Sequence, residues 1–161
     1  LREQGYDPRC QYPLPDPRVM WQPRGLRNQI VDTMQNQGWD GESPWFFKAV
    51  KACHFWPVMY RAFPNAKWII VRRQDQYIVR SCLRTGFMSA FDDEAGWQWW
   101  VDQHKERFEE IKKYLPVREV WPEKMMEGDY EETRATIEWL GLEWNDRKVR
   151  NFIEPKLFGS K

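Results

Sequence analysis

Cysteine, histidine and net charge are all scarce in this 161-residue chain, and each scarcity excludes something. The three cysteines, Cys10, Cys53 and Cys82, are odd in number, widely spaced and form no C-x-x-C. Neither a disulfide framework nor a zinc ribbon is indicated, and a reducing compartment is expected. There are two histidines. His54, beside Cys53, has the chemistry of a base or a metal ligand, but no second Cys/His pair stands at metal spacing, so it reads as a packed helix residue and no metal is expected. His104 falls on an apolar stripe and reads as a hydrogen-bonded core histidine. Lys plus Arg count 25 and Asp plus Glu 24, for a formal charge of +1. No global field advertises a nucleic acid or an anionic membrane, and any basic site must be local. The longest aliphatic or aromatic run, Trp68 to Val71, is far short of the ~20 apolar residues a bilayer crossing needs. Leu1-Arg2-Glu3-Gln4-Gly5 carries charges and no apolar signal core. A soluble, cytoplasmic protein is expected. No G-x-x-x-x-G-K-[ST] run occurs, which argues against a P-loop kinase in these residues.

What is abundant is tryptophan, 11 residues, within a composition 42% hydrophobic and 30% charged. That composition is globular, and residues 1–161 read as one domain. Arg2 to Gly5 resembles a helix end, and a loop with Pro8, Pro13, Pro15, Pro17 and Pro23 follows. Leu26, Ile30 and Met34 predict a helix from near Gly25 to Gln37, stopped by Gly38. Trp45-Phe46-Phe47 reads as a short buried strand. Val50 to Ala62 reads as a helix with Val58 and Met59 inward and Pro57 beginning or bending a turn. Lys67 to Val71 is the clearest strand, and a helix starts near Asp75 with Tyr77, Ile78, Ser81, Cys82 and Thr85 on one face. From Trp97 to Leu115 one stripe collects Trp97, Trp100, Val101, His104, Phe108, Ile111 and Leu115. Asp92-Asp93-Glu94 reads as the solvated loop capping that helix, and Trp99 points off the stripe. Val117 to Trp121 reads as a strand. Asp129 with Glu132 resembles a capping box for a helix that packs Thr133, Ile137 and Leu140 and stops at Gly141. Alternating strands and helices predict an α/β domain with a mainly parallel sheet.

In such sheets ligands bind beyond the carboxyl ends of the strands, where helix N-termini present unpaired N–H groups. Arg72 and Arg73 stand at that point. Arg73 can clamp a phosphate through its planar fork, and Ser81, two turns into the following helix, can add a donor. The same two arginines read equally well as surface charges ending a strand.

The run FPNAKWIIVRRQDQYIVRSCLRTGF resembles the 3′-phosphate-binding segment of sulfotransferases that use 3′-phosphoadenosine 5′-phosphosulfate (PAPS). SPWFFKAVK is similar to that family's strand ending in lysine, and YEETRATIEWLGLEW to its late helix. The resemblance implies a three-layer α/β/α, P-loop-like fold, PAPS as co-substrate without a metal, and sulfuryl transfer to a hydroxyl or amine acceptor. It implies Arg73 and Ser81 as ligands of the 3′-phosphate and Lys48 bordering the reacting centre. The family's Gly-rich phosphosulfate loop has no match here, and its first strand and loop are expected upstream of Leu1, which is not a translated start. Where many members carry a catalytic histidine this chain has Val50, and the segment matching the adenine-contacting tyrosine is Pro122-Glu123-Lys124. A sulfotransferase-like module that binds or assembles without catalysis is the alternative, with the aromatic surplus as its interface.

Overall fold

The computed structural model describes Leu14 and residues 25–153. The helix end at Arg2 to Gly5, the proline-rich loop, Cys10 and the chain end at Phe158 to Lys161 lie outside the described residues. In chain order the elements are α1 (Leu26–Asn36), a 3-10 helix (Val50–Phe55), α2 (Trp56–Ala62), β1 (Trp68–Val71), α3 (Asp75–Arg84), α4 (Glu94–Tyr114), β2 (Val117–Val120), α5 (Pro122–Met126), α6 (Glu131–Trp139) and α7 (Asp146–Phe152).

The two strands pair in parallel, Trp68 opposite Val117 and Val71 opposite Val120. A parallel pair needs a long crossover, and α3 with α4 supplies it. The stripe read from the sequence is the buried face of α4: Trp97, Trp100, Val101, His104 and Ile111 are buried along it, and Leu115 just beyond it. Its N-terminal half packs with Val79 and Cys82 of α3, and its C-terminal half, with Leu115, packs on Cys53 and Trp56, flanked by Trp68, Phe108 and Val117. One helix therefore carries both cores. Its start is fixed by Asp93, whose side chain accepts the Gly96 N–H at 2.8 Å, as expected of a capping loop. Trp97, fully buried, donates its indole N–H to the Phe91 carbonyl at 2.9 Å and meets the Phe91 ring edge-on. Trp99 is 42% exposed and touches the same ring at 5.9 Å.

The ends of α1 and α6 follow the glycines. Gly38 takes φ 96°. Gly141 takes φ 82°, with Leu142 N–H bonding back to the Ile137 carbonyl, a left-handed stop that a side chain would strain.

Three local expectations are corrected. Trp45-Phe46-Phe47 is not a strand: Phe46 is 88% and Phe47 60% exposed, and only β1 and β2 pair among the described residues. An apolar run becomes a strand only where a ladder partner and two covered faces exist; here only Trp45 is sheltered, against Trp39 and Phe63. Val50 to Ala62 splits into a 3-10 turn and α2, with Pro57 at the start of α2, where its missing N–H costs nothing. The capping box does not form: Asp129 accepts the Glu131 N–H, while Glu132 reaches to the Trp121 N–H at 3.1 Å. α6 buries Thr136 most deeply, its hydroxyl bonding the Glu132 carbonyl, and keeps the expected Thr133, Ile137 and Leu140 half-buried. The sheet itself is small and parallel.

Gly96 lies under Phe91, so a Cβ there would stand 2.7 Å from the Phe91 Cβ and ring. Gly96→Ala is expected to destabilise by about 1–2 kcal/mol, the overpacking outweighing the gain in helix propensity. Gly86, open within 4 Å, should tolerate alanine within about 0.5 kcal/mol. Thermal melting of both variants checks this, and an unchanged or raised midpoint for Gly96→Ala would contradict it.

Candidate functional site

Because β1 and β2 run parallel, their carboxyl ends share one edge. The Arg72 N–H donates to the Val120 carbonyl at 2.8 Å, carrying the ladder one step past β1. Side chains alternate along such a backbone, and the two arginines diverge. Arg72 turns toward α4: its guanidinium lies 5.5 Å from the ring centres of Phe108 and Trp121 and 3.8 Å from Glu119, with its side chain 16% exposed. Glu119 is shared with Lys112 at 3.4 Å. Arg73 turns the other way, over the Tyr77 ring at 5.8 Å, its Nε 3.9 Å from a Glu123 oxygen. The same oxygen accepts the Gln74 N–H at 3.3 Å, at the N-cap of α3. Glu123 comes from α5, immediately after β2. A carboxylate thus stands against a guanidinium and a helix-entry N–H, the donor set that attracts an anion.

The start of α3 is anchored from behind, where Asp75 meets Lys105 of α4 at 2.7 Å. Ser81 lies two turns further along α3, half-buried, and its carbonyl accepts the Thr85 hydroxyl at 2.7 Å. Arg73 stands one residue before the N-cap of α3. Lys48 sits in the irregular stretch before the 3-10 helix, exposed, and makes no ion pair with a described residue. Val50 is likewise exposed. Glu119 and Glu123, the acidic partners at this edge, carry no sequence signal, because strand pairing alone sets them beside the arginines. An open depression along the outer face of α4, from Asp102 to Tyr114, shares no residue with this edge.

A second cluster lies between the 3-10 helix and α4. Cys53, His54 and His104, all buried, bring one ligand atom each to within 4.8 Å of one another. The two imidazoles meet edge-on with centres 4.6 Å apart. His104 is hydrogen-bonded as expected, Nδ1 to the Trp100 carbonyl at 2.8 Å. Burial pulls His54 down to about 3, with His104, Arg107 and Lys51 adding to the effect. Burial also pulls His104 to about 4 and pushes the Cys53 thiol up to about 12. Spacing hid this group, since the histidines belong to different elements far apart in the chain.

A family model described as a sulfotransferase domain matches residues 46–157, which contain Lys48, Arg73 and Ser81. Comparison with curated proteins and with solved structures gives no match.

Two outcomes follow from this geometry. Arg72→Ala should cost roughly 1–3 kcal/mol, because it removes a shielded cation from two rings and one carboxylate, while Arg73→Ala should cost less than about 1 kcal/mol. Urea unfolding separates them, and equal losses would overturn the division of roles. In metal-free protein both histidines stay neutral when folded, whereas the unfolded chain protonates them below about pH 6.5. The stability they confer is complete above that pH. It is lost as pH falls toward 4, with a slope of up to about 1.4 kcal/mol per pH unit for each histidine. Urea midpoints in chelator that stay flat from neutral pH to about pH 5 would contradict it.

Proposed function

Starting from the chain's membership of the sulfotransferase domain family, we propose that it transfers a sulfuryl group from PAPS to a hydroxyl or amine acceptor. The observation that supports the reading best is the order β1, Arg73, α3 at the carboxyl edge of a parallel pair, with Ser81 two turns into α3. In this reading β1, α3, α4 and β2 are the centre of a three-layer, P-loop-like domain to which residues 1–161 belong. A cytoplasmic location agrees with Cys53 and Cys82 being free thiols.

The residues at the edge suit a nucleotide phosphate. Glu123 is a built-in anion held by Arg73 and the Gln74 N–H, so the spot is already selective for negative oxygen. Arg73, its guanidinium steadied on Tyr77, would take the 3′-phosphate through its fork as the Glu123 carboxylate withdraws. Ser81 would add a hydroxyl donor. Lys48 would border the reacting centre, where its exposed ammonium offsets charge on the transferring group. PAPS supplies an activated sulfuryl group, and the chain's part is positioning and positive charge, as in phosphoryl transfer.

Calorimetry tests the site. The protein should bind 3′-phosphoadenosine 5′-phosphate about tenfold or more tightly than AMP, since a charge-assisted hydrogen bond contributes roughly 1.5–3 kcal/mol. Arg73→Ala should abolish most of that preference, and Arg73→Lys should restore it only partly. Glu123→Gln, which removes the competing carboxylate charge, should tighten 3′-phosphate binding. Equal affinities of the wild type for the two nucleotides would dispose of the assignment.

A further inference from the structure

The buried cluster at the seam of the two cores has a chemistry that packing does not use. We propose that Cys53, His54 and His104 form a three-ligand site for a divalent transition metal of the zinc class, clasping the 3-10 helix to α4. It shares no residue with the strand-end site and stands whether or not the sulfotransferase reading does.

Four observations support it. First, the Nε2 atoms of His54 and His104 are both buried without a hydrogen-bond partner, in residues only 3% and 4% exposed. A buried polar nitrogen left unsatisfied is destabilising, and such atoms in native proteins call for an unseen partner. Second, the tautomer of His104 is set by its contact with the Trp100 carbonyl. A carbonyl only accepts, so Nδ1 carries the proton and Nε2 presents a lone pair, the arrangement by which a backbone carbonyl orients a metal-bound imidazole. Third, the donor set is one sulfur and two imidazoles, which suits zinc or cobalt(II) and not the oxygen-seeking magnesium or calcium. Fourth, the spread is close to what a metal needs. Tetrahedral zinc, at about 2.0–2.3 Å from its ligands, sets them roughly 3.3–3.7 Å apart, so atoms now within 4.8 Å close by about an ångström, within reach of side-chain rotation.

The electrostatics are compatible with this arrangement. Binding displaces the Cys53 proton to solvent, and the sulfur, now held by a weak 3.6 Å contact to the Val50 carbonyl, becomes a thiolate ligand. The metal and thiolate together carry one positive charge. Of the cations that act on the cluster, Arg107 is paired with Glu110 and Glu106, which reduces its opposition; Lys51 lies on the 3-10 helix itself. Three protein ligands leave a fourth position for water.

Cobalt(II) is the probe. Metal-stripped protein, titrated directly and also refolded with the ion, should take up one equivalent with a thiolate-to-cobalt charge-transfer band and the visible bands of a tetrahedral site. Zinc should displace them and raise the melting midpoint by roughly 5 °C or more at saturating ion. Cys82→Ala should keep the charge-transfer band and Cys53→Ala should lose it, with affinity at least about tenfold weaker. A wild type that shows no such band by either route, or whose melting ignores zinc, overturns the site without any variant having to fold. So does a band that survives in a folded Cys53→Ala.

Discussion

Both hydrophobic clusters, with α3 and the 3-10 helix that close them, depend on the buried stripe of α4. A helix of 21 residues is about 31 Å long, long enough to serve two hydrophobic clusters in succession. Trp97, Trp100 and Val101 close the first against α3, and Ile111, with Leu115 just past the helix, closes the second beneath the strands. That division fixes the crossover between β1 and β2, hence their parallel pairing. The pairing in turn puts the turn after β1 and the turn after β2 at one edge. Arg73 and Glu123 meet because Trp97 and Ile111 are buried on the same face of one helix.

At that edge a doubled arginine does two different jobs. Strand alternation gives Arg72 the inner side, where two aromatic rings and Glu119 neutralise and shield it, and gives Arg73 the outer side, where an anion can reach it. The inner cation stiffens the join between β1, β2 and α4. The outer one, with the Gln74 N–H, holds the Glu123 carboxylate, so two separate donors converge on one oxygen at the entry of α3.

How much of this was legible in the sequence divides along physical lines. The α4 stripe, β1, β2 and the glycine stops at Gly38 and Gly141 are local patterns, in which periodicity or backbone conformation decides the outcome residue by residue. Trp45 to Phe47 failed because an apolar run says nothing about whether a neighbouring strand exists to pair with. The capping box failed because Glu132 found a better acceptor role across the chain at the Trp121 N–H. α5 leaves no sequence signature because five residues carry too little periodicity. The partners at the arginine edge, Glu119 and Glu123, escaped because pairing register is a tertiary fact. A strand end at Lys48 needs Trp45 to Phe47 to pair, and among the described residues only β1 and β2 do.

The histidine pair shows the same limit most sharply. A metal search by spacing looks for ligands along one segment, whereas here a 3-10 helix contributes Cys53 and His54, and α4 contributes His104 from its own apolar stripe. The stripe rule correctly places His104 inside, yet it cannot say what the ring meets there. If packing alone governed the seam, apolar side chains would fill it with no desolvation cost, and neither Nε2 would be left without a partner. The seam instead holds two imidazoles and a thiol, with His104 on α4 between Val101 of the first cluster and Ile111 of the second. A bond formed there would tie the 3-10 helix, which holds Cys53 of the second cluster, to the stretch of α4 that follows Trp100 and Val101 of the first.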